Sequence, residues 1–168
     1  MRTANIKKYV FFLFAFFACN QKGPNINLKE TSAKIRLITL KHVADSLYGE
    51  NNYFLAIKYL DTFLSIDSTN GESYFMRASS LDETSAHTAL KQEIDDYNRA
   101  IKLNYDKGKS YYDLGLCYVG INDSIALRCF HKSLEADPNH YSSVIQINAI
   151  NQRLNSEQKN RSQRSHVE

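Results

Sequence analysis

The stretch Lys109–Asn139 reads KSYYDLGLCYVGINDSIALRCFHKSLEADPN, and it carries the pattern of two short amphipathic helices joined by a tight turn. Tyr111, Leu114, Gly115 and Tyr118 fall at spacings of three, one and three, one stripe of a 3.6-residue period. The run Gly120-Ile121-Asn122-Asp123 interrupts that stripe, and Asp123 or Ser124 stands where the next helix needs a cap. Ala126, Phe130, Ser133 and Leu134 form the second stripe. Asp137-Pro138-Asn139 ends it, because proline has no N–H to donate and its ring clashes with the preceding turn.

The small residue of the first helix recurs upstream. Ala44, Ala78 and Gly115 are separated by intervals of 34 and 37 residues. Around Ala44 stand Val43, Leu47, Ala56, Leu60, Phe63 and Leu64; around Ala78 stand Tyr74, Leu81, Tyr97, Ala100, Ile101 and Leu103. The aromatic, Leu-Gly, Tyr, Ala, aromatic, small and Pro order of Tyr111, Leu114-Gly115, Tyr118, Ala126, Phe130, Ser133 and Pro138 resembles a tetratricopeptide (TPR) repeat, one residue short in the Gly120 turn. The middle unit departs from the pattern. Arg77 replaces the usual Leu, Glu93 replaces the helix-packing Ala, and about three residues are inserted between Asp82 and His87. The resemblance implies an all-α fold, an α-solenoid of about three helix-turn-helix repeats. Three is about the minimum for units that bury their faces only against one another.

The ends of the chain read differently. Residues 1–18 have the build of a signal peptide: Arg2, Lys7 and Lys8 precede the apolar run Tyr9–Phe17, which is too short for a membrane-spanning helix of about 20 residues. Ala18-Cys19 at the end of that run resembles the lipobox of bacterial lipoproteins, with Phe16 where Leu is commonest. The resemblance implies that Cys19 is lipidated and becomes the mature N-terminus. An ordinary secretory signal with an incidental cysteine is the alternative. Residues 19–31 are polar, with Gly23-Pro24, and read as a tether. The lipoprotein resemblance implies an exported, membrane-anchored protein of a bacterial envelope; surface-bound members often carry an acidic cluster after the cysteine, and its absence after Cys19 implies the periplasmic face.

The TPR domain is expected over 32–155, with helix one starting near Ser32 and burying Leu37, Leu40, Val43, Ala44 and Leu47. After Pro138 a single helix puts Val144, Ile147, Ile150 or Ala149, and Leu154 on one face. It resembles the capping helix that closes TPR arrays. Residues 156–168 hold no large apolar residue except Val167 and read as a disordered tail.

Charge and motif exclude several classes. The chain holds 21 basic and 18 acidic residues, and its first 18 residues contain three of the basic ones and no acidic one, leaving a mature chain of 18 and 18. A neutral chain gives no electrostatic footprint for nucleic acid. The five histidines, His42, His87, His131, His140 and His166, are scattered, with no metal-binding spacing. No phosphate-loop or nucleophile-elbow glycine pattern occurs. Asp95 and Asp96 point about 100° apart on a helix and share no site, and Glu93 belongs to the same solvated face. No enzymatic activity, cofactor or metal is expected. Cys117 and Cys129 fall on the two helices of the third repeat, either as two small buried residues or as a disulfide of an exported protein.

What remains is binding. In TPR arrays the first helices line a groove, and the resemblance assigns to it Lys41, Asp45 and Tyr48, then Phe75, Ser79 and Asp82, then Tyr112, Leu116 and Val119. Such a mixture suits an extended peptide or a partner helix. It lacks the Lys and Asn or Arg cluster with which TPR chaperone adaptors clamp a C-terminal carboxylate. Phe75 and Tyr112 are the expected ligand contacts, and Tyr74, Tyr111 and Tyr118 the packing residues. The expectation is therefore a membrane-anchored adaptor for a protein or peptide partner, the alternative being an obligate structural subunit of an envelope complex.

Overall fold

The protein is described by a computed structural model covering residues 27–84 and 89–164. The signal peptide, Cys19 and most of the tether lie outside the described residues, as do His87 and residues 165–168. Seven helices are described: α1 Leu28–Gly49, α2 Tyr53–Ile66, α3 Gly71–Glu83, α4 Leu90–Lys102, α5 Lys107–Tyr118, α6 Asp123–Ala136 and α7 Tyr141–Arg164. The chain divides into two units, Met1–Ile35 and Arg36–Glu168. Of the first, residues 27–35 are described, helical from Leu28 and exposed.

Within the second unit, α1 packs on α2, α3 on α4 and α5 on α6, and α7 closes against α6. The turns are built by residues that tolerate positive φ or cap the next helix. Asn51 (φ 59°), Asn104 (φ 61°) and Gly120 (φ 77°) adopt the left-handed conformation beyond helix ends. Asn70 accepts from the Ser73 N–H at 2.8 Å and Asp106 from the Lys109 N–H at 3.1 Å. At α6 the cap is Asn122, which accepts from the Ile125 N–H at 3.1 Å, and not Asp123 or Ser124. Asp123 reaches back instead to the Gly120 N–H at 3.1 Å and takes Arg153 as its ion-pair partner.

Three apolar clusters run along the stack. Ala44, Ala56, Leu60 and Met76 form the first; Phe63, Leu64, Tyr74, Phe75, Ala78, Tyr97, Ala100, Leu114 and Cys129 the second; Ala126, Phe130 and Ile150 the third. The recurring small residue has a direct reason. A Cβ on Gly115 would stand 2.6 Å from the Phe130 ring, while Ala44 and Ala78 are fully buried where the helices of their own pairs close. Leu37, Leu40 and Leu47 pack against these clusters, as the register requires. So do Tyr111 and Tyr118, and Tyr74 lies within the second.

Two boundaries differ from the sequence expectation. α1 begins at Leu28 rather than near Ser32, and α7 runs on to Arg164, through most of the stretch read as a disordered tail. Gln, Glu, Lys and Arg are good helix formers, and Glu157 and Arg161 add an i,i+4 pair at 4.0 Å. Every side chain over 155–164 is exposed, so this extension is held by local propensity and not by packing. On α7, Ile150 and not Ala149 is the buried residue, with Ile147 and Leu154 beside it. Val144 is 41 % exposed and leaves the inner face.

Candidate functional site

The face formed by α1, α3 and α5 is where the groove residues fall, and the structure divides them into those already used and those still open. Lys41 is used: its Nζ donates to Asp45 at 2.6 Å and to Glu72, on the next repeat, at 2.9 Å. The Tyr48 hydroxyl lies 3.1 Å from that of Ser79, another contact between repeats. Phe75 is overturned as a ligand contact. It is 3 % exposed, with the Tyr97 and Tyr105 rings 5.6 and 5.4 Å away and the Lys109 ammonium over its face at 4.7 Å. Tyr112 is half-buried, its ring 5.7 Å from Phe130 and 4.7 Å from His140. Val119 is half-buried against the third cluster. Asp82 and Leu116 remain exposed, Leu116 by 38 %.

The equivalent residues Lys41, Phe75 and Tyr112 thus share one fate. Each reaches the start of the following repeat, by an ion pair, a cation–π contact and a ring stack respectively. A side chain placed to meet a ligand in the sequence pattern is also the one placed to meet the next helix. The larger the neighbour there, the less of it is left.

Sequence reasoning missed the charges inside the stack. Arg77, standing where the pattern expects Leu, donates through Nε and Nη2 to both oxygens of Asp96, each at 2.7 Å, and through Nη1 to Asp61 at 2.7 Å. Three helices, α2, α3 and α4, are joined by one guanidinium. Asp96 is 3 % exposed and Asp95, on the other side of the helix, pairs with Lys91 at 2.9 Å in solvent. Glu93, read as part of a solvated face, is 5 % exposed, so that assignment is corrected: α4 turns it inward along with Tyr97 and Asp96. The departure of Arg77 and Glu93 from the repeat pattern was the available signal, since charges at packing positions must find partners.

Acidic groups converge where α3, α4 and α5 meet. Burial, reinforced by Glu93, Asp82 and Asp113, pushes the Cys117 thiol up to about 12, so it is not a thiolate at neutral pH. Cys117 and Cys129 are both free thiols. Burial likewise lifts the Asp113 carboxyl to about 6; Lys109 works against this, and Asp82 and Asp106 add to it. Asp113 makes no hydrogen bond or ion pair through its side chain.

A pH dependence follows. A carboxyl that holds its proton more tightly in the folded state loses stability for the protein as pH rises from the unfolded value near 4 through the folded value of about 6. Asp113→Asn should therefore raise the melting temperature at pH 7, by an amount on the order of 1–3 kcal/mol in stability. The gain should shrink as pH falls from about 6 to about 4 and vanish below that, where the carboxyl is protonated in both states. Thermal melts from pH 3.5 to 7.5 check this, and an equal gain at both ends would contradict it.

A recess of about 360 Å³ lies at the first repeat, lined by Leu37, Ile38, Lys41, His42, Asp45 and Phe63. Among the described residues no group of three or more His, Cys, Asp and Glu side chains is arranged to hold a metal ion. No described helix is long and apolar enough to cross a membrane.

Solved structures that match this architecture include TPR domains. The chain resembles MamA with a TM-score of 0.65 at 23 % identity, over 71 % of this chain and 68 % of that one. It resembles the first TPR of Spaghetti (RPAP3), solved with the HSP90 peptide SRMEEVD, with a TM-score of 0.61 at 22 % identity, over 70 % and 92 %. The Sgt2 TPR domain from Aspergillus fumigatus matches with a TM-score of 0.61 at 18 % identity, over 74 % and 82 %. No protein-family model matches the sequence, and no curated protein matches it by sequence. The fold is accordingly an all-α solenoid of TPR repeats, three helix pairs followed by a single helix.

Proposed function

We propose that the chain is a protein-binding module, a non-catalytic adaptor that holds an extended segment or helix of a partner against the face of α1, α3 and α5. The observation that carries this reading is the unspent part of that face: Asp82 and Leu116 are exposed and Tyr112 is half-buried beside them in register, on a fold whose solved examples include an RPAP3 domain bound to an HSP90 peptide. A mixed apolar and charged strip of this kind suits peptide recognition through a few anchors surrounded by polar contacts. Photocrosslinking from Leu116 in native membranes tests it. A specific protein adduct, lost on competition with unlabelled protein, is expected. Absence of any adduct from Leu116 while one forms from the outer helices α2 and α6 would move the site elsewhere.

The same proposal includes the anchor. Residues 1–18 direct export and Cys19 is lipidated, holding the repeats at a bacterial membrane on the periplasmic side; what supports it is the basic start, the Phe-rich run and the Ala18-Cys19 junction. Cys19→Ser should abolish incorporation of a palmitate analogue and move the protein from the detergent phase to the aqueous phase. A wild-type protein that is exported, unlabelled and aqueous would leave a plain secretory signal.

A further inference from the structure

The face of α1, α3 and α5 has a sign. Its side chains and their immediate neighbours include the carboxylates Asp45, Glu72, Asp82 and Asp113 against the ammonium groups of Lys41 and Lys109. Lys41 is taken up by Asp45 and Glu72; Lys109 lies over the Phe75 ring and offsets part of the charge of Asp113, leaving the carboxylates in excess. Among the described residues, Asp82 and Asp113 have no side-chain hydrogen bond or ion pair, and they lie close enough to repel each other. The open groups at the second and third repeats are therefore hydrogen-bond acceptors.

An independent observation at the far end of the third repeat agrees. His140, in the turn before α7, stacks on Tyr112 and begins a chain of hydrogen bonds leading into the core. Ser133 Oγ donates to the Gly108 carbonyl at 2.7 Å, which uses its only proton. Ser143 Oγ must then donate to Ser133 Oγ, at 2.8 Å. The contact of 3.0 Å between Ser143 Oγ and His140 Nδ1 has a proton left only from the imidazole. The neutral ring is thereby held with its proton on Nδ1, and Nε2, which has no partner among the described residues, is an acceptor. Gly108 lets this junction close, since a Cβ there would stand 2.9 Å from that of Asp137.

We propose that the partner segment is basic: a lysine or arginine side chain placed against Asp82 and Asp113, followed by an N–H donor on His140 Nε2, with the exposed Leu116, one helical turn from Tyr112, as the apolar contact. This rests on the protein-binding reading above and deepens it by naming the partner's chemistry. An excess of acceptors over donors rejects an acidic segment through repulsion and through the cost of leaving desolvated carboxylates unpaired.

The test is selection of random 12-residue peptides displayed on phage against the full chain in detergent micelles. Enrichment of lysine and arginine is expected. The affinity of a selected synthetic peptide should fall on the order of tenfold or more in Asp82→Asn/Asp113→Asn, and it should weaken as salt is raised from 0.05 to 0.5 M, roughly as exposed charge pairs do. It should fall in His140→Asn, whose amide can still donate to Ser143 but offers no acceptor at the ring's far edge; melting temperatures that do not fall below the native protein's separate binding from folding, the carboxylate variant being expected to melt higher at pH 7. ¹⁵N NMR of His140 near pH 8 should show a bare Nε2, and a proton there would remove that acceptor and overturn its assignment. Selected peptides that are uncharged or acidic yet still lost on Leu116→Gln would overturn the basic-segment inference and leave the groove standing. Peptides indifferent to Leu116→Gln would remove the groove reading, and this inference with it.

Discussion

Asp96→Ala should destabilise the protein by about 3–5 kcal/mol, because it strands the Arg77 guanidinium among α2, α3 and α4 with only the half-exposed Asp61 to neutralise it. Burying an unpaired charge costs more than any single contact it leaves behind. The pair itself need not be a net gain. A double variant, Arg77→Met with Asp96→Leu, fills the same space without charge and should recover most or all of the stability, since buried ion pairs replaced by packed apolar groups are often neutral or better. Asp61→Ala, by contrast, removes a partner that is 52 % exposed and should cost no more than about 1 kcal/mol. Urea melts of the four proteins decide between these outcomes. If Asp96→Ala and Asp61→Ala cost the same small amount, water reaches the guanidinium and the pair is not a buried one.

Phe75→Ala is the second large effect, and its direction reverses what the repeat pattern implied. As a groove residue the ring could be truncated with little change in melting temperature. Enclosed by Tyr97, Tyr105 and the Lys109 ammonium, it should instead cost about 3–5 kcal/mol, as large-to-small changes in a core do. For a chain of this size that lowers the melting temperature by roughly 10 °C. Leu116→Gln is the companion measurement: this side chain is 38 % exposed and should leave the melt nearly unchanged while still reporting on partner binding. A stable Phe75→Ala protein would mean that Tyr105 or Lys109 swings away and the ring is open to solvent after all. Loss of partner binding in Phe75→Ala, taken alone, measures unfolding and says nothing of the ligand.

What the sequence determined by itself was the repetitive part of the protein. The spacing of Ala44, Ala78 and Gly115, the stripe around Leu114 and the Asp137-Pro138 stop are local facts, set by the helical period and by turn chemistry within a few residues. They were enough to give seven helices, their pairing and the identity of most core residues, because a repeat contacts only its neighbours and each contact recurs with the period. Helix ends were less legible. Asn122 rather than Asp123 caps α6, and α7 continues to Arg164, since several side chains compete for each cap and propensity alone sustains an exposed helix.

The tertiary structure alone decided the fate of individual side chains between repeats. Whether Phe75 faces a ligand or Tyr105, whether Arg77 finds Asp96 and which nitrogen of His140 holds a proton, set in the end by the Gly108 carbonyl, depend on residues 19 to 32 positions away, and the inward turn of Glu93 is likewise a matter of packing. A hydrophobic period records which face of a helix is inward. It does not record how far the next helix reaches over that face, and in this protein that reach separates Phe75, covered by Tyr105 and Lys109, from Leu116, which stays 38 % exposed.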